Sequence, residues 1–419
     1  MSSIDANRRE PDGQGAQEGE GLTQRTTRWP FWLALGAGAI TLSAFAFVFL
    51  SDRSNSDYPP HLPFPSRTDR LVLKSPEQIP LRLNEPGKLD ADLAALDQIG
   101  GQTVDPATLP TNLRGTLDRY LKEAFATPSA PSLAVESELT SAVSELGLTN
   151  DRLTTGGKIY RKHCQQCHGL PGDGRGPTGL WINPYPRDFR RGVFKFVSTE
   201  KACKPRHDDL LRTITEGLKG TAMPAFGLLP DSEREALAHY VTYLALRGQT
   251  EYHTLAAIAI GDPLAVQDPN RFASHQLKQA VAEWQEAFSA PPPPSEPPDG
   301  EPGSPTHSEA VRRGYQLFTS TEKDACISCH GDFGRKPQLR YDVWGTIAKP
   351  ANFTTPELKG GTRPIDVYHR IRGGIPAVGM PAHPKLTDRQ IWDLVRFVRS
   401  APYPRELPPD VRASVYPNP

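Results

Sequence analysis

The run Cys164-Gln165-Gln166-Cys167-His168 recurs in type as Cys326-Ile327-Ser328-Cys329-His330, and a Met-Pro-Ala follows each at a similar distance, starting at Met223 and at Met380. Two thiols separated by two residues, with a His directly after, form the attachment pattern of a c-type haem. The thiols add across the porphyrin vinyl groups, the His stands beneath the iron, and a Met arriving later in the chain can close the opposite face. Two covalently bound haem c groups are therefore expected, one on Cys164 and Cys167 and one on Cys326 and Cys329. His168 and His330 are the expected proximal iron ligands, and Met223 and Met380 the distal ones.

Rival readings of the four Cys fare worse. A single zinc site would have to join two pairs far apart in sequence, and neither pair has the usual knuckle spacing. A redox dithiol of the thioredoxin kind needs a βαβ context, which the chain lacks. Methionine is scarce: three occur, one of them the initiator, and the other two hold equivalent places in the two repeats. Buried Met is commonly core filler, but that matched placement and the Pro after each favour ligation. His/Met coordination raises the reduction potential and leaves no open position on iron, which suits electron transfer better than substrate chemistry.

The repeat extends beyond the motifs. Asp209 and Asp366 each precede their Met by 14 residues, Ile214 and Ile371 by nine, and Gly217 and Gly374 by six. This predicts a short helix, a Gly-terminated turn and a loop presenting Met. Trp181 leads to Pro186-Arg187-Asp188-Phe189, and Trp344 to Pro350-Ala351-Asn352-Phe353. A last amphipathic helix follows each Met, through Leu237, Tyr240, Val241, Tyr243 and Leu244, and through Ile391, Trp392, Leu394, Val395, Phe397 and Val398. Gly157 and Gly314 are expected to let the opening helix of each module cross the last one closely.

Formal net charge is zero, yet residues 154–250 and 307–403 each hold 15 Lys and Arg against nine Asp and Glu. A basic module can dock an acidic redox partner, or spend the charge on haem propionates and a solvated face. Arg187, Arg190 and Arg191 are candidates for propionates or for plain surface charge. Cys203 is left over as an unpaired thiol. No nucleic-acid partner is expected.

Residues 29–50 contain no charge, and 22 residues of helix span roughly 33 Å, enough for a bilayer core. An uncleaved transmembrane anchor is expected there, because the apolar run extends past its one small-x-small site, Ala44-Phe45-Ala46. The expected order is a disordered cytoplasmic tail (1–28), the anchor (29–50), an extended and helical periplasmic segment (51–149), a first haem domain (150–250), a helix and Pro-rich linker (251–306), a second haem domain (307–403) and a Pro-rich tail (404–419). Helical patterning falls at 88–98, 111–126, 134–147 and 269–289. The linker's Pro-rich run should be a semi-rigid spacer, which fits poorly with two haems at fixed distance.

With paired C-x-x-C-H, a distal Met-Pro and helices at both module ends, the chain resembles class I bacterial cytochrome c in duplicate, over 150–250 and 307–403. The Pro186-Arg187-Asp188-Phe189 loop and Gly220-Thr221-Ala222-Met223-Pro224 are similar to membrane-associated respiratory cytochromes. The resemblance implies an all-α fold of two tandem class I cytochrome c domains after a single N-terminal transmembrane helix. It also implies Pro177 packed on the proximal side of the first haem. The expected function is electron transfer in a bacterial respiratory chain, by a protein that is not an enzyme, anchored in the cytoplasmic membrane with its N-terminus inside and its haem domains in the periplasm. Expected partners are the membrane and redox proteins: a quinol-oxidising complex, a terminal oxidase or a soluble cytochrome. The alternative is a dihaem oxidoreductase, either a peroxidase or similar to thiosulfate dehydrogenases, in which Cys203 would ligate the first iron. Two departures from the family stand out: residues 51–150 match nothing assignable, and the second module has five extra residues between Gly314 and its first Cys.

Overall fold

A helix opening with Asn150 and a helix opening with Asp231 cross at Gly156, where an added Cβ would lie 2.2 Å from the Ala236 carbonyl oxygen. The same crossing recurs at Gly314, where the Cβ would lie 2.0 Å from the Asp393 carbonyl oxygen. The close-approach glycine of the first domain is thus Gly156 and not Gly157, whose nearest neighbour is the Tyr240 ring edge at 3.0 Å. With Gly156 as the equivalent of Gly314, the second domain carries four extra residues before its first Cys rather than five. Beside each crossing sits an aromatic pair, Tyr160 with Tyr240 and Phe318 with Phe397, both with ring centroids 5.2 Å apart.

The computed structural model describes residues 62–72, 103–199, 204–290, 294–297, 300, 302–321, 325–342 and 347–417. In chain order, strand β1 (Leu71–Val72) pairs antiparallel with β2 (Thr103–Val104), and helices α1 (Thr111–Phe125) and α2 (Thr140–Glu145) follow. The first haem-motif domain comprises α3 (Asn150–His163), the motif turn α4 (Gln165–His168), α5 (His207–Glu216) and the long α6 (Asp231–Ala259). Next come α7 (Pro263–Gln267) and α8 (Pro269–Phe288). The second domain comprises α9 (Pro305–Phe318), the motif turn α10 (Cys326–Cys329), the antiparallel pair β3 (Arg340–Tyr341) and β4 (Ile347–Ala348), α11 (Pro364–Gly373) and α12 (Asp388–Ser400). Helix α13 (Pro409–Val415) closes the chain.

Helix α6 shows why the first domain is larger. From Ala236 to Leu246 every residue is buried, because α3 covers one side and α1 and α8 cover the others. Phe125 and Trp284 are fully buried against it, and the Trp284 Nε1 donates to Gln249 at 3.0 Å. A buried ion pair on it, Arg247 with Glu251 at 3.2 Å, ties the helix to the segment 62–72, where the Arg67 backbone N–H donates to Glu251 at 3.0 Å.

The fold expectation is corrected on its membrane part. Among the described residues no helix is long and apolar enough to cross a membrane. The run 29–50, on which the sequence reading places the anchor, lies outside the described residues, as do the tail 1–28, the helix expected at 88–98, Cys203 and Trp344. The described chain is helical, with two very short two-stranded sheets.

The two haem-motif domains belong to one compact unit, Ser56–Pro419, and touch directly. Lys195 pairs with Asp342 at 3.1 Å, Arg212 with Asp366 at 3.1 Å, and the Arg370 guanidinium lies over the Phe196 ring at 5.3 Å. Gly360 packs so tightly on Phe196 that a Cβ would lie 2.4 Å from the ring. This contact corrects the expectation of two modules separated by a spacer. Even the end of the linker is fastened, since Arg396 on α12 donates to the Pro297 carbonyl at 2.8 Å and pairs with Glu296.

Candidate haem-binding site

The first motif begins where a helix ends, whereas the second starts eight residues after Phe318, the last residue of α9. Cys164 caps the C-terminus of α3, and the motif closes one turn, with the His168 N–H donating to the Cys164 carbonyl at 2.9 Å. In the second domain the His330 N–H donates to the Cys326 carbonyl at the same 2.9 Å. Gly169 leaves the first turn at φ +72°, and its carbonyl accepts from the buried Tyr160 hydroxyl at 2.7 Å.

The loops at Pro186 and Pro350 fix the imidazoles. His168 Nδ1 lies 3.1 Å from the Arg187 carbonyl oxygen, and His330 Nδ1 lies 3.1 Å from that of Ala351. A carbonyl only accepts, so Nδ1 carries the proton and Nε2 is left with its lone pair for a metal. Phe189 and Phe353 pack on the two imidazoles, each with centroids 4.6 Å apart. Burial pushes His168 down to about 4 and lowers His330, which keeps both neutral. Burial likewise pushes the Cys164 thiol up to about 12 and that of Cys326 up to about 11.

The Met-bearing loops are built alike. Asp209 accepts from the Arg206 backbone N–H at 3.0 Å and starts α5, and Asp366 accepts from that of Arg363 at 3.2 Å and starts α11. Gly217 and Gly374 end these helices at φ +67° and +68°, and a Cβ on either would strike the Met-Pro backbone at 2.6 to 2.7 Å. Leu218 donates to the Met223 carbonyl at 3.1 Å, and Ile375 to that of Met380 at 2.9 Å.

All eight candidate residues, Cys164, Cys167, His168, Met223, Cys326, Cys329, His330 and Met380, line one cavity of about 1320 Å³. That exceeds the roughly 300–1,000 Å³ of an ordinary ligand pocket. Its walls are apolar on both sides, with Phe189, Phe194 and Val241 in the first domain and Phe353, Ile371 and Val398 in the second. The donor set and this apolar lining fit two haem groups. The cationic side chains Arg187, Lys195, Lys359 and Arg370 also line the space and suit haem carboxylates. Burial lowers Arg187 and Arg370 to about 10, so both stay charged at neutral pH.

Residues 151–241 match the family model described as cytochrome c oxidase, cbb3-type, subunit III, and residues 311–402 match that of cytochrome c. The chain carries two cytochrome c domains. Such domains imply haem c binding and haem-based electron transfer. No curated protein matches the chain. A solved structure from a reducing HAO-like protein complex of Kuenenia stuttgartiensis matches at 26% identity, over 59% of this chain and 95% of that one, with a TM-score of 0.41. Nothing in these matches supports the expectation that the chain is not an enzyme.

Other expectations need correction around the two cytochrome domains. Of the three candidate propionate arginines only Arg187 reaches the cavity. Arg190 is clasped by Asp188 and Asp69, both at 2.8 Å, and Arg191 lies over the Tyr252 ring at 5.0 Å. Pro177 is exposed, and its neighbour Gly176 makes the tight contact with the motif, 2.3 Å from the Gln165 and Gln166 carbonyl oxygens to an added Cβ. His163, next to the first motif, also lines the cavity, with its ring centroid 6.1 Å from that of Phe226. Sequence reasoning missed Lys359, Arg370 and Asp342, which carry no spacing signal of their own.

Proposed function

We propose that the chain holds two haem c groups covalently and passes electrons between them and partner redox proteins, as a subunit or carrier in bacterial respiration. Cys164 and Cys167 would form the thioether bonds of the first group, and Cys326 and Cys329 those of the second. His168 and Met223 would ligate one iron, His330 and Met380 the other. Each haem supplies a one-electron iron couple, tuned by axial ligands, hydrogen bonding and burial.

One observation carries this reading: both motifs and both Met residues open onto the same cavity. Two haem groups held by these residues would share one continuous space. The protein's own contribution is orientation and charge. The Arg187 and Ala351 carbonyls fix the imidazole tautomer, the glycine-ended helices α5 and α11 hold the Met loops, and Arg187, Lys195, Lys359 and Arg370 offset the haem carboxylates. Haem c is attached outside the bacterial cytoplasmic membrane, so the haem domains work on that side. Partners there would be a quinol-oxidising complex as donor and an oxidase or soluble cytochrome as acceptor.

The test is haem retention on the denatured chain together with redox titration, repeated under carbon monoxide. Two retained haems, two one-electron waves and no carbon monoxide complex are expected. Haem that extracts into acidic acetone would overturn covalent attachment, and carbon monoxide binding by either iron would indicate a catalytic centre instead of a closed carrier.

A further inference from the structure

Away from the haem cavity, the first residue of α5 meets the first turns of α6. His207 Nε2 lies 2.5 Å from Glu235 Oε2, and His239 Nε2 lies 4.0 Å from the same oxygen. One ligand atom from each of the three falls within 4.8 Å of the others. None of the three lines the haem cavity. His239 is buried, and the imidazoles lie nearly parallel with centroids 4.4 Å apart. Nδ1 of His207 is buried without a hydrogen-bond partner among the described residues, and the His239 ring hydrogen-bonds the Leu146 backbone carbonyl, the kind of contact that orients a metal-ligating imidazole. Two stacked imidazoles that both direct Nε2 at one carboxylate oxygen form a ready donor set for an ion.

We infer that His207, Glu235 and His239 form a binding site for a divalent transition metal, Zn²⁺ being the best match. Two His and one Glu make up a familiar zinc donor set, with the fourth position left to water. Metal–ligand lengths of about 2.0–2.2 Å place tetrahedral donors roughly 3.4 Å apart. The observed separations fall on either side of that value, so closing on the ion takes movements of about an ångström. Glu235 is half exposed, which gives the ion an entry path.

The site belongs to the first domain alone. At the 157-residue offset that separates Met223 from Met380, the second domain has Pro364, Trp392 and Arg396 in place of His207, Glu235 and His239. The three residues are therefore not a requirement of the fold. The ion would pin α5 to α6. Helix α5 also carries Leu210 and Ile214 into the haem cavity and ends at Gly217 against Met223, so the pin would stiffen the distal side of the first haem.

One cation opposes binding. Arg152 Nη1 lies 3.5 Å from His239 Nε2, at the long limit of a hydrogen bond. Arg152 is exposed and can swing into solvent, and its removal should strengthen the site.

The test is titration of chelator-stripped holoprotein with Zn²⁺ against a chromophoric competitor. One Zn²⁺ per chain is expected. Glu235→Ala and His207→Ala should each weaken binding by more than the 10–100-fold that outer-shell changes typically cost, while Arg152→Ala should tighten it. Haem content of each variant, read from its absorption spectrum, shows that the chain has folded. Absence of stoichiometric binding in the wild type would overturn the inference. So would unchanged affinity in Glu235→Ala and His207→Ala variants with full haem content.

Discussion

Arg212 of α5 donates to Asp366 of α11 at 3.1 Å, and Asp366 is the same carboxylate that starts α11 through the Arg363 backbone. One side chain therefore serves both the domain contact and the Met380 loop. Although burial works against it, the Arg363 and Arg212 guanidiniums hold Asp366 below the usual carboxylate range. Arg212→Ala removes one of those partners but leaves Arg363, so the loss should be about 1–2 kcal/mol, short of the roughly 3–5 kcal/mol for stranding a buried charge outright. The urea midpoint should fall with an unchanged slope; a slope change would mean that the two domains no longer unfold together.

His369, also on α11, gives the same contact a pH dependence. Burial, and next the Arg212 guanidinium, push it down to about 4. Arg206 and Arg370 add to the lowering, and Asp366 opposes it. A folded-state value below the unfolded one means that the unfolded chain takes up the proton first. Stability is then complete above about pH 6.5 and lost as pH falls toward about 4. The loss should be on the order of 1 kcal/mol once partial exposure is allowed for. His369→Gln should flatten the plot of urea midpoint against pH over that window, and an unaltered slope would assign the acid sensitivity to another group.

Much of the site was legible because local chemistry writes itself into spacing. Two thiols and a His must fall on one turn, and the distances from Asp209 and Gly217 to Met223 repeat at Asp366, Gly374 and Met380 because the Asp starts and the Gly ends the helix that leads into each Met loop. The helix at Thr111–Phe125 likewise followed from apolar periodicity. What depends on tertiary contact was hidden. Periodicity could not choose between Gly156 and Gly157, since only the partner backbone at Ala236 distinguishes them. Arg190 looked like a propionate ligand because Asp69, its partner, lies 121 residues away. The shared cavity has no sequence signal either, because Lys195 and Asp342 meet only when the domains dock. The Pro-rich linker suggested separation, and the ion pairs and the Phe196 contact across the domains overruled it.

Gly156→Ala and Gly314→Ala should each be costly, because the added methyl meets a carbonyl oxygen at 2.2 Å or 2.0 Å and the helices must part. Overpacking of this kind costs typically about 1–3 kcal/mol. Gly115 is the internal control: it is exposed on α1 with nothing within 4 Å of an added Cβ, so Gly115→Ala should stabilise by about 0.5–1 kcal/mol. Thermal melts of the three variants should give two decreases and one increase in Tm.

Met223→Ala and Met380→Ala should act on one haem each. Loss of the thioether ligand opens one iron and lowers its potential relative to His/Met ligation. Each variant should gain one carbon monoxide-binding haem while the other remains inert. If neither variant binds carbon monoxide, Met is not the ligand and belongs to the core.

The first haem should also respond to a charge that the second lacks. Asp69 accepts from Arg190 at 2.8 Å and from Arg67 at 3.0 Å, and Arg190 in turn clasps Asp188. Asp188 follows Arg187, whose carbonyl holds His168. The corresponding residue of the second domain is Asn352, a neutral side chain that accepts from the Thr354 N–H at 2.9 Å. Asp69→Asn removes a negative charge from the proximal side of the first haem alone and leaves two buried guanidiniums less compensated. Excess positive charge disfavours the oxidised iron, so the potential of the first haem should rise, on the order of tens of millivolts. Redox titration should show one wave moving up and the other fixed. Met223→Ala, by lowering the same wave, identifies which haem has moved. Equal movement of both waves would mean that the ion network does not act through the His168 loop.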